Sequence, residues 1–335
     1  MPDPFIDDRA SETVAEAGPG MQPRGFDRRD IPGESAFDHT ADELTEFGVT
    51  ARSQTRLVLR RFFRHRAAMV SLVILILMVA AAFLAPHYYK FSYLEQTNSF
   101  SSPPSTTHWF GTDTIGIDTY ASVMQGATKS IEIGLLVAIF STLIGVFVGA
   151  LTGFYRGLVD AGLMRMTDLF LIMPDIAVLA VVANRFRNQS GNWFMIALVI
   201  TLFAWMYQAR LTRAEFLSLR ERDYVLAARA LGASDRRIIG RHLLPNALGS
   251  IIVNATLTVS AAIITEATLS FLGFGITPPD ISLGKMVSDG ADTASTRWWL
   301  FYLPGLFLIV MLLCINFIGD GLRDAFDPTQ DRLRA

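Results

Sequence analysis

The chain has 335 residues, 51% of them apolar, with 29 basic and 31 acidic side chains and a net charge of -2. Mean hydropathy is positive, and the apolar residues gather in long runs instead of short alternating patches, which excludes a set of soluble domains and points to a membrane protein. The single cysteine, Cys314, excludes an intrachain disulfide and a cysteine metal site; inside an apolar run it reads as a small buried hydrophobe.

In chain order, residues 1–50 are polar, acidic and broken by Gly and Pro, as in "AGPGMQPRGFDRRDIPGES". They show no apolar period and read as a disordered tail. No short apolar region lies near the start, so a cleavable signal peptide is not expected. A basic flank, 51–66, leads into the first of six expected spans, Ala67 to about Pro86, whose roughly 20 residues give about 30 Å of helix. The second runs from about Ile131 to Phe154, with Gly134, Gly145, Gly149 and Gly153 offering close helix packing. The third, about Asp168 to Asn184, is short and holds Pro174. The fourth is about Trp193 to Ala209, the fifth about Ala247 to Leu272, and the sixth about Trp298 to Ile318 with Pro304. Such prolines are tolerated in membrane helices where neighbours satisfy the freed carbonyl.

Six arginines, Arg52, Arg56, Arg60, Arg61, Arg64 and Arg66, precede the first span, while only Lys90 follows it before Gln125. The positive-inside rule therefore makes the N-terminus cytoplasmic, and six spans return the C-terminal end, 329–335, to the same side. The chain divides into the tail, the flank and a six-span region, 67–328, with an outer loop 87–130 and a cytoplasmic loop 210–246. Arg185 and Arg187 dissent, since this topology puts them outside.

The loop 210–246 carries eight arginines and the stretch "YVLAARALGASDRRIIGRHLLPN". A helix from about Thr212 to Leu231 is expected to end at Gly232 in a left-handed cap. Ser234 then serves as N-cap of a second helix, with Asp235 in its first turn, which Pro245 stops. Three readings suit this unit: an amphipathic connector on lipid headgroups, a helix-turn-helix for DNA, and a dock for a cytoplasmic partner. Tethering of both ends to membrane spans counts against nucleic acid. The small side chains of Ala227, Ala228 and Ala230 suit close docking.

"AARALGASDRRIIGRHLLP" resembles the cytoplasmic EAA signature of ABC importer membrane subunits. Ala227, Ala228, Gly232, Leu244 and Pro245 match its spacing; Leu226 stands for the leading Glu and His242 for an Ile. "HWFGTDTIGIDTYASVMQGATKSIEIGL", "TEATLSFLGFGITPPDISLGKMVSDG" and "GDGLRDAFDP" are similar to C-type subunits of oligopeptide and dipeptide permeases, although Ile117 stands where the family usually has Arg. The matches run from about Arg56 to Pro328.

This resemblance implies an all-α polytopic protein with the type I ABC importer permease fold. It implies a coupling surface formed by Tyr224, Ala227, Ala228, Gly232, Ala233, Ser234, Leu244 and Pro245. The implied partners are a homologous permease subunit, two ATP-binding subunits that carry ATP and Mg, and an extracellular or periplasmic substrate-binding protein, in a bacterial inner membrane. No G-x-x-x-x-G-K-[ST] loop occurs in the sequence, so no cofactor and no catalysis are expected of this chain.

The alternative is a secondary transporter or channel subunit whose arginine loop lies on the membrane surface. Such proteins place ionisable groups within the bilayer, and two acids qualify as pathway or gate candidates: Asp175, about seven residues into the third span, and Glu266, late in the fifth. Glu132 is expected at the start of the second span, near its dipole. Trp193, Trp205, Trp298 and Trp299 are expected to form an interfacial belt, and removal of Arg213 or Arg220 should matter little if they interact only with headgroups. His65, His87 and His108 show no metal spacing.

Overall fold

A computed structural model describes residues 54–185 and 192–327. The tail reading of 1–50, Arg52, Arg187 and the end 328–335 lie outside the described residues. The described secondary structure is helical apart from isolated bridges such as Gln96 with Ile117. The basic flank is itself a helix, α1 (Gln54–Arg64), and His65 caps the next one by accepting from the Ala68 N–H through Nδ1 at 3.1 Å. α2 (Arg66–Tyr88), α3 (Thr119–Tyr155), α4 (Gly157–Ile172), α5 (Asp175–Arg185) and α6 (Asn192–Leu219) follow. After them come α7 (Asp223–Ala230), α8 (Asp235–Ile238), α9 (Leu244–Phe271), α10 (Leu283–Ala291) and α11 (Trp299–Phe326).

The third expected span is not one helix. Pro174 forces the preceding Met173 into extended backbone (φ -70°, ψ 142°), so α4 ends there and α5 leaves at 85°. Whether this bent pair crosses the bundle is answered by its neighbours. A Cβ on Gly145, Gly149 or Gly153 would meet Gln208, Thr212 and Phe216 in turn, so α3 and α6 run parallel, and the chain between them must travel back along the bundle. It does so: Asp160 in α4 pairs with Arg213, Phe170 packs on Phe203, and Leu179 in α5 joins the cluster of Ile196 and Ile133. Among the described residues five helices are long and apolar enough to span a bilayer, and the parallel run of α3 and α6 makes the bent pair a sixth crossing.

Several helices exceed their expected bounds. α3 has 37 residues, about 55 Å at helical rise, so its first turns project beyond a bilayer core into what read as the outer loop. Glu132 is therefore well inside α3, not at its start, and it pairs with Lys129 at 2.9 Å. α6 continues to Leu219, absorbing the first part of the arginine loop.

Residues 89–118 cap the end of the bundle where α3 begins. Asp118 organises this cap: its Oδ1 accepts from the Ala121 N–H as N-cap of α3, while Oδ2 lies 2.8 Å from His108 Nδ1 and accepts from the Tyr89 hydroxyl at 3.2 Å. Burial pushes the Tyr89 phenol above its usual range, and the adjacent Asp118 charge adds to the rise. The belt expectation fails for two tryptophans. Trp205 is buried against Met206 and Ala209, and Trp299 is buried with Nε1 donating to the Thr112 carbonyl at 3.1 Å. Trp193 carries the Lys129 ammonium over its ring, 4.4 Å from the centroid. Cys314 is a buried free thiol, as its setting suggested.

Candidate functional site

At the other end of the bundle α6 gives way to a short exposed unit. Its anchors are apolar. Val225 of α7, Ile238 of α8 and Leu243 are each fully buried and pack with Phe154, Phe216, Ala247 and Ile251. Polar ties reinforce them: Arg220 donates to the Phe154 carbonyl at 2.6 Å, and Arg156 pairs with Glu221 at 2.8 Å across exposed surface.

α7 ends as its sequence requires. Gly232 has φ +79°, the Ala233 N–H bonds the Ala228 carbonyl, and the Gly232 N–H bonds the Arg229 carbonyl, both at 3.0 Å. That pair of bonds is the Schellman closure of a helix C-terminus. Nothing lies within 4 Å of a Cβ at Gly232, so glycine is needed there for its backbone angle and not for space. Ser234 has the extended backbone of an N-cap (φ -67°, ψ 153°) but makes no side-chain cap bond. The Ile238 N–H instead reaches the Ser234 carbonyl at 2.9 Å.

Pro245 does not stop the second helix. Residues Ile239–Leu243 form a π turn, and the chain continues directly into α9 with Pro245 in its first turn. A proline ring collides with the carbonyl four residues back in a regular helix and offers it no N–H. The wider turn removes that demand, with the Leu244 N–H bonded to the Ile239 carbonyl and Asn246 Nδ2 donating to the His242 carbonyl at 2.6 Å.

The eight residues expected at the coupling surface divide in two. Tyr224, Ala227, Gly232, Ser234 and Pro245 are exposed; Ala228 is half-buried, and Ala233 and Leu244 pack inward on the anchoring cluster. Sequence reasoning missed two exposed apolar side chains beside them, Leu226 at 47% and Leu231 at 88% exposure. Residue type alone carried no signal for them, because their exposure follows from the burial of Val225, which sets the rotation of α7. Arg213 and Arg220 are not headgroup residues. Arg213 forms two bonds with Asp160, Nε to Oδ1 at 2.6 Å and Nη2 to Oδ2 at 2.7 Å, and Arg210 pairs with Asp168 one turn away.

Neither acid belongs to the cluster that anchors this unit. Asp175 is the exposed first residue of α5, its Oδ1 accepting from the Ile176 N–H at 2.8 Å; it follows the bend and is not seven residues into a continuous span. Glu266 is fully buried near the cap end of α9. Its Oε1 accepts from the Ser270 and Ser282 hydroxyls at 2.6 and 2.7 Å, and Oε2 is buried without a partner. Among the described residues no cluster of three or more His, Cys, Asp or Glu side chains has the arrangement to hold a metal ion.

Residues 141–332 match the family of binding-protein-dependent transport system inner membrane components, and residues 53–104 match the N-terminal transmembrane domain of oligopeptide transport permease C. The oligopeptide transport system permease protein OppC of Mycobacterium tuberculosis is 43% identical over 292 residues, 87% of this chain and 99% of that one. That of Bacillus subtilis is 40% identical over 270 residues, 80% and 87% of the two chains. Among solved structures, the inward-facing MetNI methionine ABC transporter superposes with a TM-score of 0.51 at 22% identity, covering 62% of this chain and 96% of that one. The bundle accordingly has the type I ABC importer permease fold.

Proposed function

The chain belongs to the family of inner membrane components of binding-protein-dependent transport systems, as a C-type oligopeptide permease subunit, and from that premise we propose that it forms one half of a peptide pathway. A homologous permease subunit forms the other half. Two ATP-binding subunits carry ATP and Mg and drive transport, and an extracellular or periplasmic binding protein delivers the peptide. The assembly sits in a bacterial inner membrane with both termini of this chain cytoplasmic.

The observation that carries the coupling role is the α7 turn. It is exposed, closed at Gly232, and tied through Val225, Ile238 and Leu243 to the core between α3, α6 and α9. A force applied to Leu226, Ala227 or Leu231 by a docked ATPase is thereby passed to membrane helices without a loose joint. Asp175, at the exposed side of the α4–α5 bend, is the acid assigned to the pathway. Glu266, occupied by two serines, holds α9 to the turn before α10.

Cysteines placed at Ala227 and Leu231 test the coupling role. In the assembled complex they should crosslink to the ATP-binding subunits, and Leu231→Asp should abolish uptake while the protein stays in the membrane. Crosslinks to lipid alone, with normal uptake by Leu231→Asp, would leave only a membrane-surface connector.

A further inference from the structure

The N-terminal elbow has a chemistry that neither the coupling unit nor the pathway uses. One face of α1 is held to the end of α11: Phe62 packs with Ala68, Ile318 and Ala325, and Arg61 donates to the Asp327 carbonyl at 3.2 Å. The opposite face carries Arg56, Arg60 and Arg64, four residues apart and so on one line of the helix, all exposed and none paired with an acid among the described residues. Beside that line stand the exposed apolar side chains of Leu59 and Phe63, at 56% and 55% exposure. An arginine stripe flanked by exposed Leu and Phe, immediately before a membrane span, is the pattern of a helix lying in the headgroup layer.

From the elbow a groove of about 500 Å³ runs between α2 and α11, lined by Val70, Ile74, Val310, Leu313 and Phe317, with Arg66 at its elbow end. From Arg66 to Ile74 is roughly 12 Å along the helix, most of the depth of one leaflet. The groove is apolar along its length and cationic at the mouth. A negatively charged headgroup over an acyl chain has that same order of chemistry.

We propose that this elbow and groove bind one anionic phospholipid of the leaflet at the arginine-rich end. Arg66 at the groove mouth meets the phosphate, Arg56, Arg60 and Arg64 supply the positive field of the neighbouring surface, Leu59 and Phe63 enter the acyl boundary, and one chain lies between α2 and α11. A zwitterionic lipid fits the groove equally well but leaves the four arginines without a net counter-charge, so discrimination comes from the elbow and retention from the groove. This rests on the chain spanning a bilayer and does not depend on its coupling role.

The test uses the assembled transporter in nanodiscs containing trace phosphatidylglycerol with a photoactivatable acyl chain, compared with the phosphatidylcholine analogue. Phosphatidylglycerol should label groove residues such as Val70 and Leu313 at least roughly tenfold more than phosphatidylcholine, a ratio equivalent to about 1.4 kcal/mol. Replacing Arg56, Arg60 and Arg64 together by Gln should lower that labelling to the phosphatidylcholine level, and Ser71→Trp, which fills the groove from α2, should reduce labelling by both. A complex carrying Ile74→Trp gives the same reading if the Ser71 variant does not assemble. Equal labelling by the two lipids, labelling indifferent to the triple variant, or groove cysteines that crosslink only to the partner permease or to residues 1–50 would overturn the proposal. Uptake is measured on the same complexes, so a failure of the transport reading is seen separately from a failure of lipid binding.

Discussion

Arg213 of α6 and Asp160 of α4 form a two-bond ion pair, 2.6 and 2.7 Å, with the guanidinium 32% and the carboxylate 16% exposed. It joins the helix that leads into the coupling unit to the first half of the bent crossing. Because the pair is largely shielded and its geometry is bidentate, it exceeds an ordinary surface salt bridge. Arg213→Ala should destabilise the complex by about 1–3 kcal/mol, and the double variant with Asp160→Ala should cost less than the sum of the two singles. Thermal unfolding of the four complexes gives the coupling energy; a value near zero would return Arg213 to the headgroups.

Gly232 separates backbone strain from lost contact. With φ +79° and open space around its Cβ, Gly232→Val should disturb the α7 cap at a cost of about 1–2 kcal/mol, and uptake should fall with the protein still inserted. Gly232→Asn, which tolerates the left-handed region better than other side chains, should retain most uptake. Equal loss in both variants would mean that the surface itself, and not the turn, needs glycine.

For Asp175 the conservative variant is informative. Asn keeps an oxygen to accept from the Ile176 N–H, so Asp175→Asn should leave α5 and complex assembly intact while removing the charge. Peptide uptake in proteoliposomes should drop; unchanged uptake would make Asp175 a helix-starting residue only.

Two glycines give opposite signs. A Cβ at Gly149 would sit 2.5 Å from the Ala209 carbonyl oxygen and 2.6 Å from Thr212 Cβ, so Gly149→Leu should push α3 from α6 and cost about 1–3 kcal/mol or more. Gly162 lies inside α4, exposed, with nothing within 4 Å. Gly162→Ala should stabilise by about 0.5–1 kcal/mol, the entropy glycine loses in a helix. Melting temperatures of the two complexes should move in opposite directions.

The cap at the α3 start makes a further demand. Asp118 takes bonds from the Ala121 N–H and Tyr89 and lies against His108, with Asp118, Ala121 and His108 buried and Tyr89 half-buried. Asp118→Ala should cost about 1–3 kcal/mol by leaving those groups unpaired, whereas Tyr89→Phe, which removes one bond and fills the same space, should cost about 1 kcal/mol. A smaller loss for Asp118→Ala than for Tyr89→Phe, read from thermal unfolding, would show that the cap does not depend on this carboxylate.

Local chemistry was enough for the features that depend on neighbours in sequence. Long apolar runs announced the spans, because a backbone in lipid must satisfy its own hydrogen bonds. Gly232 announced a left-handed cap, and the glycines of α3 announced a close helix contact. The family resemblance rested on motifs of the same local kind. Tertiary structure decided what depends on partners distant in the chain. Pro174 could be read as a kink, but only the parallel packing of α3 and α6 makes the bent α4–α5 pair a required crossing. Arg213 and Arg220 looked like headgroup residues because Asp160 and the Phe154 carbonyl are 53 and 66 positions away. Pro245 looked like a stop because a π turn has no signature in residue type. Trp205 and Trp299 looked interfacial because hydropathy records an indole's affinity for a membrane edge and not the core that encloses it. Which of the coupling residues face outward followed from Val225, Ile238 and Leu243, whose burial against α3 and α9 sets the rotation of α7 and leaves Leu226 and Leu231 exposed.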